Sequence, residues 1–222
     1  MIILSHRGLW TEPQQRNTLS AMVASFEKGF GVETDVRDFD GNLVISHDMP
    51  SKDALPLRSL LIAYDAAGRP GRLALNIKAD GLAPALAQEV GLFPGLAKKV
   101  FVFDMSVPDM LHYFDSGLQV FTRHSEYEPT PPLEARSDGL WMDCFVRPWV
   151  DPIDATNRLA SGQNIAIVSP ELHKRASFRL SWHLLRDALR SRQFPQELTA
   201  NSLMLCTDFP EEAADFFDEG QK

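Results

Sequence analysis

Short apolar runs alternate with segments of helical period along almost the whole chain, and this alternation limits the possible folds more than any other feature. Ile2-Ile3-Leu4-Ser5 predicts a first strand. A helix follows, with Asn17 or Thr18 as its cap, whose apolar residues recur at i, i+3, i+4 and i+7, namely Leu19, Met22, Val23 and Phe26. Further apolar runs predict strands at 31–36, 72–77, 100–104, 118–122, 139–143, 164–168 and 203–206. A tight turn is predicted at Asp40-Gly41, and a short helix is predicted near 132–136. Strands that alternate with helices form right-handed β-α-β units and a parallel sheet.

Eight such units in 222 residues predict an α/β fold, a (β/α)8 TIM barrel, as a single domain over residues 1–222. An open doubly wound sheet is the competing architecture. It usually carries a glycine-rich phosphate-binding turn after the first strand. The corresponding stretch here, His6-Arg7-Gly8-Leu9-Trp10, has one glycine.

Charge and cysteine content exclude several classes of protein. The chain has 22 Lys and Arg against 30 Asp and Glu, a net charge of −8 without a long basic run, so we expect no nucleic-acid binding. Cys144 and Cys206 do not form a disulfide framework or a zinc-site spacing. No stretch reaches the roughly 20 apolar residues that cross a bilayer, which predicts no stable membrane insertion. The N-terminus lacks the features of a signal peptide, which predicts a cytoplasmic protein.

Ionisable residues cluster at the carboxyl ends of the first three predicted strands. They are His6-Arg7, then Glu33-Thr34-Asp35, then His47-Asp48 beyond the next turn, and Asn76-Ile77-Lys78. Strand side chains point alternately to opposite faces. The apolar positions belong against the surrounding helices, so we predict that the polar ones point into the barrel: Glu33, Asp35, Asn76 and Lys78.

Two neighbouring inward carboxylates are costly to bury unless they are neutralised. A hard divalent cation takes oxygen ligands, which makes Glu33, Asp35 and Asn76 candidate metal ligands. Asn76 as a hydrogen-bonding residue that lines the barrel is the alternative for that position. For the two carboxylates, the alternative is ion pairing without a metal, with Arg7, Arg37 or Lys78.

His6 and His47 are candidates for an acid–base pair, because imidazole titrates near neutrality. Arg7 and Lys78 add fixed positive charge that suits phosphoryl oxygens. Together with a cation, these groups indicate phosphoryl transfer from a diester, where protons move at both the entering and the leaving oxygen.

The motifs resemble those of the glycerophosphodiester phosphodiesterases, within the phosphatidylinositol-phospholipase-C-like superfamily. The matching stretches are Ser5-His6-Arg7-Gly8, Asn17-Thr18-Leu19-Ser20-Ala21, Gly31 to Val36, Asp40 to Asp48 and Cys206-Thr207-Asp208-Phe209-Pro210. The resemblance implies a (β/α)8 barrel, a divalent cation such as Mg²⁺ or Ca²⁺, and hydrolysis of a small-molecule glycerophosphodiester to glycerol 3-phosphate and an alcohol. It also implies that His6 and His47 are the acid and base and that Glu33 and Asp35 bind the metal.

One position departs from this pattern. Family members usually carry Glu-x-Lys in the third strand, whereas this chain has Asn76-Ile77-Lys78. Asparagine is neutral and offers one carbonyl oxygen, so we expect weaker cation binding. The alternative function is therefore a barrel that binds phosphorylated ligands but has lost turnover.

Other polar residues also lie at predicted strand ends, in the second half of the chain. We expect them to be loop or structural residues, with substrate contact as the alternative: Arg123, Asp143, Glu171 and His173.

Overall fold

A closed parallel sheet forms the centre of the fold, and the computed structural model describes residues 1–218. The strands are β1 (Ile2–His6), β2 (Gly31–Phe39), β3 (Asn42–Ile45), β4 (Leu55–Pro56), β5 (Leu73–Ile77), β6 (Val100–Phe103), β7 (Gln119–His124), β8 (Gly139–Met142), β9 (Asn164–Val168) and β10 (Leu203–Thr207). Their order is β1-β10-β9-β8-β7-β6-β5-β2, and β2 pairs with β1 to close the ring. The predicted (β/α)8 barrel is confirmed, and ring closure excludes the open doubly wound sheet.

Helices follow most of the strands. They are α1 (Leu19–Glu27), α2 (Leu57–Ala66), α3 (Ala83–Gly91), α4 (Val107–Phe114), α5 (Pro152–Ala160), α6 (Phe178–Arg192), α7 (Gln196–Ser202) and α8 (Pro210–Asp218). Side-chain caps explain where several begin, since Thr18, Ser106 and Asp151 each accept a backbone N–H of the first turn. Within residues 1–218, no helix combines the length and the apolar character that crossing a bilayer requires.

The helices differ from the sequence pattern in two places. A helix is predicted near 132–136, but this segment contains only a short 3₁₀ turn, Glu134–Arg136. Conversely, α2 is not predicted. Its buried residues, Leu57, Leu60, Leu61 and Tyr64, have helical spacing, but the helix begins after Pro56 without a side-chain cap.

The described chain forms two compact units. The first comprises residues 4–121, and the second comprises residues 1–3 with the chain from 122 onward. In the first unit, the rings of Phe101 and Phe121 stack at 4.0 Å between centroids. In the second, Trp182 is fully buried and its indole N–H donates to Ser169. The assignment of residues 1–222 to a single domain stays a prediction.

A β-hairpin in the first unit returns the chain to the level of the predicted carboxylates. Strands β2 and β3 pair antiparallel, from Val36 opposite Ile45 to Phe39 opposite Asn42. Asp40-Gly41 forms the predicted tight turn, with positive φ at both residues. Beyond β3, the N–H of Ser46 donates to the carbonyl oxygen of Asp35 at 3.1 Å. His47 therefore follows directly after a residue whose N–H is bonded to the backbone of Asp35 in β2.

Close backbone packing at the start of β2 generates the first prediction. A Cβ atom at Gly31 would lie 2.3 Å from the carbonyl oxygen of Arg72 and 2.7 Å from a methyl group of Leu4. Gly31→Ala is expected to lower the free energy of unfolding by about 3 kcal/mol, because the neighbouring backbone cannot move away cheaply. Urea denaturation measures this difference.

Gly91→Ala is the matched control. A Cβ at Gly91 meets nothing within 4 Å, and alanine is favoured over glycine in a helix by up to about 1 kcal/mol. Equal free energies of unfolding for the two variants would contradict the packing described for Gly31.

Candidate active site

The strand ends of the first unit place the predicted carboxylates and amide on one face. Glu33 lies opposite His6 in the β1–β2 register, and Asp35 lies opposite Asn76 in the β2–β5 register. The exposed fractions are 3% for Glu33, 0% for Asp35 and 8% for Asn76. Val32, Thr34 and Val36 on the alternate positions are buried as well, so the inward direction of the polar side chains stays a prediction.

Asp35 is surrounded by donors and cations. Arg7 Nε lies 3.1 Å from its Oδ2, and Lys78 Nζ lies 3.5 Å from its Oδ1. Asn17 Nδ2 donates to Oδ2 at 3.0 Å. Asp35 therefore pairs with two of the three cations named from the sequence, and pairing of this kind leaves open whether a metal also binds. Arg37, the third, donates instead to backbone carbonyl oxygens.

Glu33 is in a different electrostatic environment. The pKa of its carboxyl is raised to about 8, chiefly by burial and then by the charge of Asp35, with a smaller contribution from Asp104; the charges of Arg7 and Lys78 oppose this rise. His6 Nε2 lies 3.9 Å from Glu33 Oε2, too far for a hydrogen bond. The Glu33 carboxyl is therefore the acidic group here whose charge is least compensated by the protein.

Three buried oxygen atoms fit a divalent cation chemically. Glu33 Oε2, Asp35 Oδ1 and Asn76 Oδ1 accept no hydrogen bond from the residues that the structure describes, although Asp35 Oδ1 faces Lys78. Hard cations take such carboxylate and amide oxygens. The set holds two carboxylates and one amide, and residues 1–218 contain no group of three or more His, Cys, Asp or Glu side chains arranged as a metal site.

His47 stands at the rim of this cluster, with its side chain 47% exposed. Its Nδ1 lies 2.9 Å from Asp48 Oδ1, and this hydrogen bond lowers the pKa of Asp48, with smaller contributions from the charges of Arg7 and Arg37. An ionised Asp48 accepts, so Nδ1 carries the proton and Nε2 is left for proton exchange.

The sequence reasoning missed the role of Asn17. This residue is predicted as an alternative helix cap, but Thr18 caps α1. Asn17 adopts a left-handed backbone conformation, its side-chain oxygen accepts from Thr34 Oγ1 at 2.8 Å, and its amide nitrogen holds Asp35. Asparagine tolerates positive φ better than most residues. An asparagine between Arg16 and Thr18 is therefore the sequence feature that could have indicated a tight turn here.

Asp104 is not singled out from the sequence, and Arg37 is named there only as an ion-pair partner of the carboxylates. Asp104 follows β6 with a positive φ, and its charge acts on Glu33. Arg37 is two residues beyond Asp35, so the same period-two alternation places it on the face of the two carboxylates. The sequence shows that Asp104 follows an apolar run and that Arg37 is two residues after Asp35, but neither residue matches a motif.

In the second unit, the polar residues at strand ends are engaged with protein partners. Asp143 Oδ1 lies 2.7 Å from His173 Nε2, and Arg123 Nε donates to Glu128 at 2.6 Å. Glu171 accepts hydrogen bonds from Ser169, Thr207 and the N–H of Asp208. These contacts are all with other protein groups; the structural role of these residues stays a prediction, with substrate contact as its alternative.

Comparison with known proteins supports the fold. No protein-family model and no curated protein sequence matches the chain. A glycerophosphodiester phosphodiesterase from Parabacteroides distasonis has a similar structure, with a TM-score of 0.73 and 16% identity over 100% of this chain and 98% of that one. One from Agrobacterium tumefaciens gives 0.61 and 16% over 98% and 99%. The chain therefore shares the barrel fold of these enzymes over nearly its full length, in agreement with the fold that the motifs imply.

A carboxylate-capped loop in the second unit generates a pH prediction. Burial alone would raise the pKa of Glu126, but the backbone N–H groups of Arg147, Phe145 and Val146 lower it to about 2. A carboxyl pKa that is lowered in the folded state stabilises the fold at pH values above the ordinary pKa of 4.5. This stabilisation is lost as the pH falls from 4.5 towards 2. Glu126→Gln is therefore expected to be less stable than wild type at pH 7, with a smaller difference at pH 3.

Urea denaturation at the two pH values measures the effect. Glu27→Gln, which changes an exposed carboxylate at the end of α1, is the control and is expected to match wild type at both. A stability difference for Glu126→Gln that is the same at pH 3 and pH 7 would contradict the capping role.

Proposed function

We propose that the chain belongs to the glycerophosphodiester phosphodiesterase family. In this proposal it hydrolyses glycerophosphodiester-type small molecules to a phosphomonoester, glycerol 3-phosphate, and an alcohol. The observation that carries the proposal is the first unit's cluster, in which two cations and an imidazole surround two buried carboxylates at the ends of β1, β2 and β5. The fold shared with enzymes of that name supports the same activity.

The two imidazoles supply the acid and the base. One of His6 and His47 takes a proton from the attacking oxygen, and the other gives a proton to the leaving alcohol oxygen. One P–O bond forms while another breaks, so both proton transfers are needed near neutral pH. The Asp48 carboxylate keeps the His47 proton on Nδ1 and leaves Nε2 for this exchange.

Arg7 and Lys78 hold the phosphate in this proposal. Both already lie against Asp35, which keeps their side chains near the strand ends. Guanidinium and ammonium groups both donate hydrogen bonds to phosphoryl oxygens and stabilise the charge that develops there. Asp35 thereby orients both cations.

Glu33, Asp35 and Asn76 would hold the divalent cation, Mg²⁺ or Ca²⁺. When bound, it supplies Lewis-acid stabilisation of negative charge on the phosphoryl oxygens. The neutral Asn76 leaves the site more positive than a third carboxylate would. This difference is expected to weaken cation binding and to favour binding of an anionic diester.

Activity is tested on a panel of glycerophosphodiesters with Mg²⁺, Ca²⁺ or Mn²⁺, followed by ³¹P NMR, and repeated with a chelator. We expect conversion to a phosphomonoester that the chelator abolishes. Chelator-resistant hydrolysis would contradict the cation role. Absence of hydrolysis with every metal, together with retained binding of glycerol 3-phosphate, would favour the phosphorylated-ligand-binding barrel instead.

Removal of one imidazole gives a specific prediction. His6→Ala is expected to lower kcat/KM by about 100- to 10,000-fold, because general acid–base catalysis contributes about that much. Steady-state kinetics on the best substrate of the panel measures the loss.

His112→Ala is the matched control, since His112 is exposed in the last turn of α4. This variant is expected to keep wild-type activity. Full activity of His6→Ala, with an unchanged circular dichroism spectrum, would rule out a role for His6 as acid or base.

The asparagine in the third strand of the ring gives a second prediction. Asn76→Glu adds a carboxylate opposite Asp35, and it is expected to tighten Mn²⁺ binding by about 10-fold or more, since affinity follows the charge of the ligand set. It is also expected to raise KM for the anionic diester. Isothermal titration calorimetry with Mn²⁺ measures the first effect, and unchanged affinity would mean that position 76 does not contact the cation.

A further inference from the structure

Arg37 lies just beyond the buried carboxylates of β2 and binds main chain instead of acidic side chains. Its Nε donates to the carbonyl oxygen of His47 at 3.1 Å, and its Nη1 donates to the carbonyl oxygen of Lys78 at 3.0 Å. A guanidinium presents its donors in one rigid plane, so a single side chain can hold two acceptors at a fixed separation. One arginine thus joins the segment that carries an imidazole to the segment that carries an ammonium group.

The two segments follow two different strands, β3 and β5, that both pair with β2. The hairpin strand β3 leads to His47, and Ser46 donates its N–H to the carbonyl oxygen of Asp35 at 3.1 Å. Strand β5 leads to Lys78, whose N–H donates to the carbonyl oxygen of Val36 at 3.0 Å. These backbone bonds attach each segment to β2. Arg37 adds a link between the segments themselves, across the end of the strand.

The imidazole of His47 depends on this backbone for its position. Its side chain is 47% exposed, and the Asp48 carboxylate that it contacts is 93% exposed. An exposed pair of this kind holds a side chain weakly. Movement of the His47 backbone would therefore move the imidazole with it.

We propose that Arg37 is a positioning residue that fixes the backbone of His47 relative to that of Lys78, so that the imidazole and the ammonium group keep a constant separation. The inference rests on the function proposed above, in which these two groups act on one phosphodiester. Arg37 itself touches neither the substrate nor the reacting atoms in this role. Misplacement of a catalytic group by about 1 Å costs up to about 100-fold in rate. Because His47 acts in the transition state, the loss falls on kcat more than on KM.

Two substitutions test the link, with one matched control. Arg37→Gln is expected to lower kcat by about 10- to 100-fold. Arg37→Lys is expected to lower it less, because one ammonium group can still hold one of the two carbonyl oxygens. Arg58→Gln removes an exposed arginine of α2 that pairs with Glu89 at 2.7 Å, and it is expected to keep the wild-type kcat. Circular dichroism checks that each variant is folded, and Arg37→Lys carries the test if Arg37→Gln unfolds.

A double-mutant cycle separates positioning of His47 from a general structural role. In a His47→Ala background, the kcat effect of the Arg37 substitution is expected to shrink to within about twofold, since coupled residues are not additive. An equal loss in both backgrounds would overturn the proposal.

Amide hydrogen exchange tests the same link without substrate. The N–H groups of Ser46 and Lys78 are expected to exchange faster in the Arg37 variants than in wild type, and at the wild-type rate in Arg58→Gln. Unchanged exchange in the Arg37 variants would overturn the positioning role, whether or not the protein is active. A wild-type protein that hydrolyses no diester would instead overturn the proposed function, and the exchange experiment would still test the link.

Discussion

The buried carboxylate of Asp35 and the cations around it organise the candidate site. A carboxylate with no exposed surface is stable only when opposite charge and donors surround it. Arg7, Lys78 and Asn17 meet this need from three separate segments, at the end of β1, at the end of β5 and in the turn before α1. The requirement to neutralise one acid therefore brings together the side chains that a phosphodiester would need.

The closed sheet provides the framework for this arrangement. Parallel strands end at the same edge, so residues that are distant in sequence become neighbours through register alone, as with His6 opposite Glu33 and Asp35 opposite Asn76. The hairpin of β2 and β3 then returns His47 to the same edge. Arg37 completes the set by linking the two segments on either side of β2. Electrostatic neutralisation and strand register thus act on the same few residues.

Much of this could be predicted from the sequence because it depends on local periodicity. The eight ring strands follow from apolar spacing, and the start of α1 near Thr18 follows from a short polar residue that precedes its apolar positions. Strand alternation predicts the inward direction of Glu33 and Asp35. Helix α2 has the same apolar spacing, but its start after Pro56 has no capping side chain to mark it.

The roles of Asn17 and Arg37 depend on contacts between segments, and periodicity does not report such contacts. From the sequence alone, Asn17 could equally be a helix cap, and Arg37 could equally be an ion-pair partner of the carboxylates. In the structure, the Asn17 side chain donates to Asp35 and accepts from Thr34. Arg37 instead donates to two backbone carbonyl oxygens.

A crystal structure of the protein with Mn²⁺ and glycerol 3-phosphate tests the central claim most directly. We predict an anomalous peak at about 2.0–2.6 Å from oxygen atoms of Glu33 and Asp35, the range that hard divalent cations adopt. The phosphate should contact Arg7 and Lys78, with the imidazoles of His6 and His47 facing it. A cation bound elsewhere, or a phosphate that contacts none of these four side chains, would contradict the account.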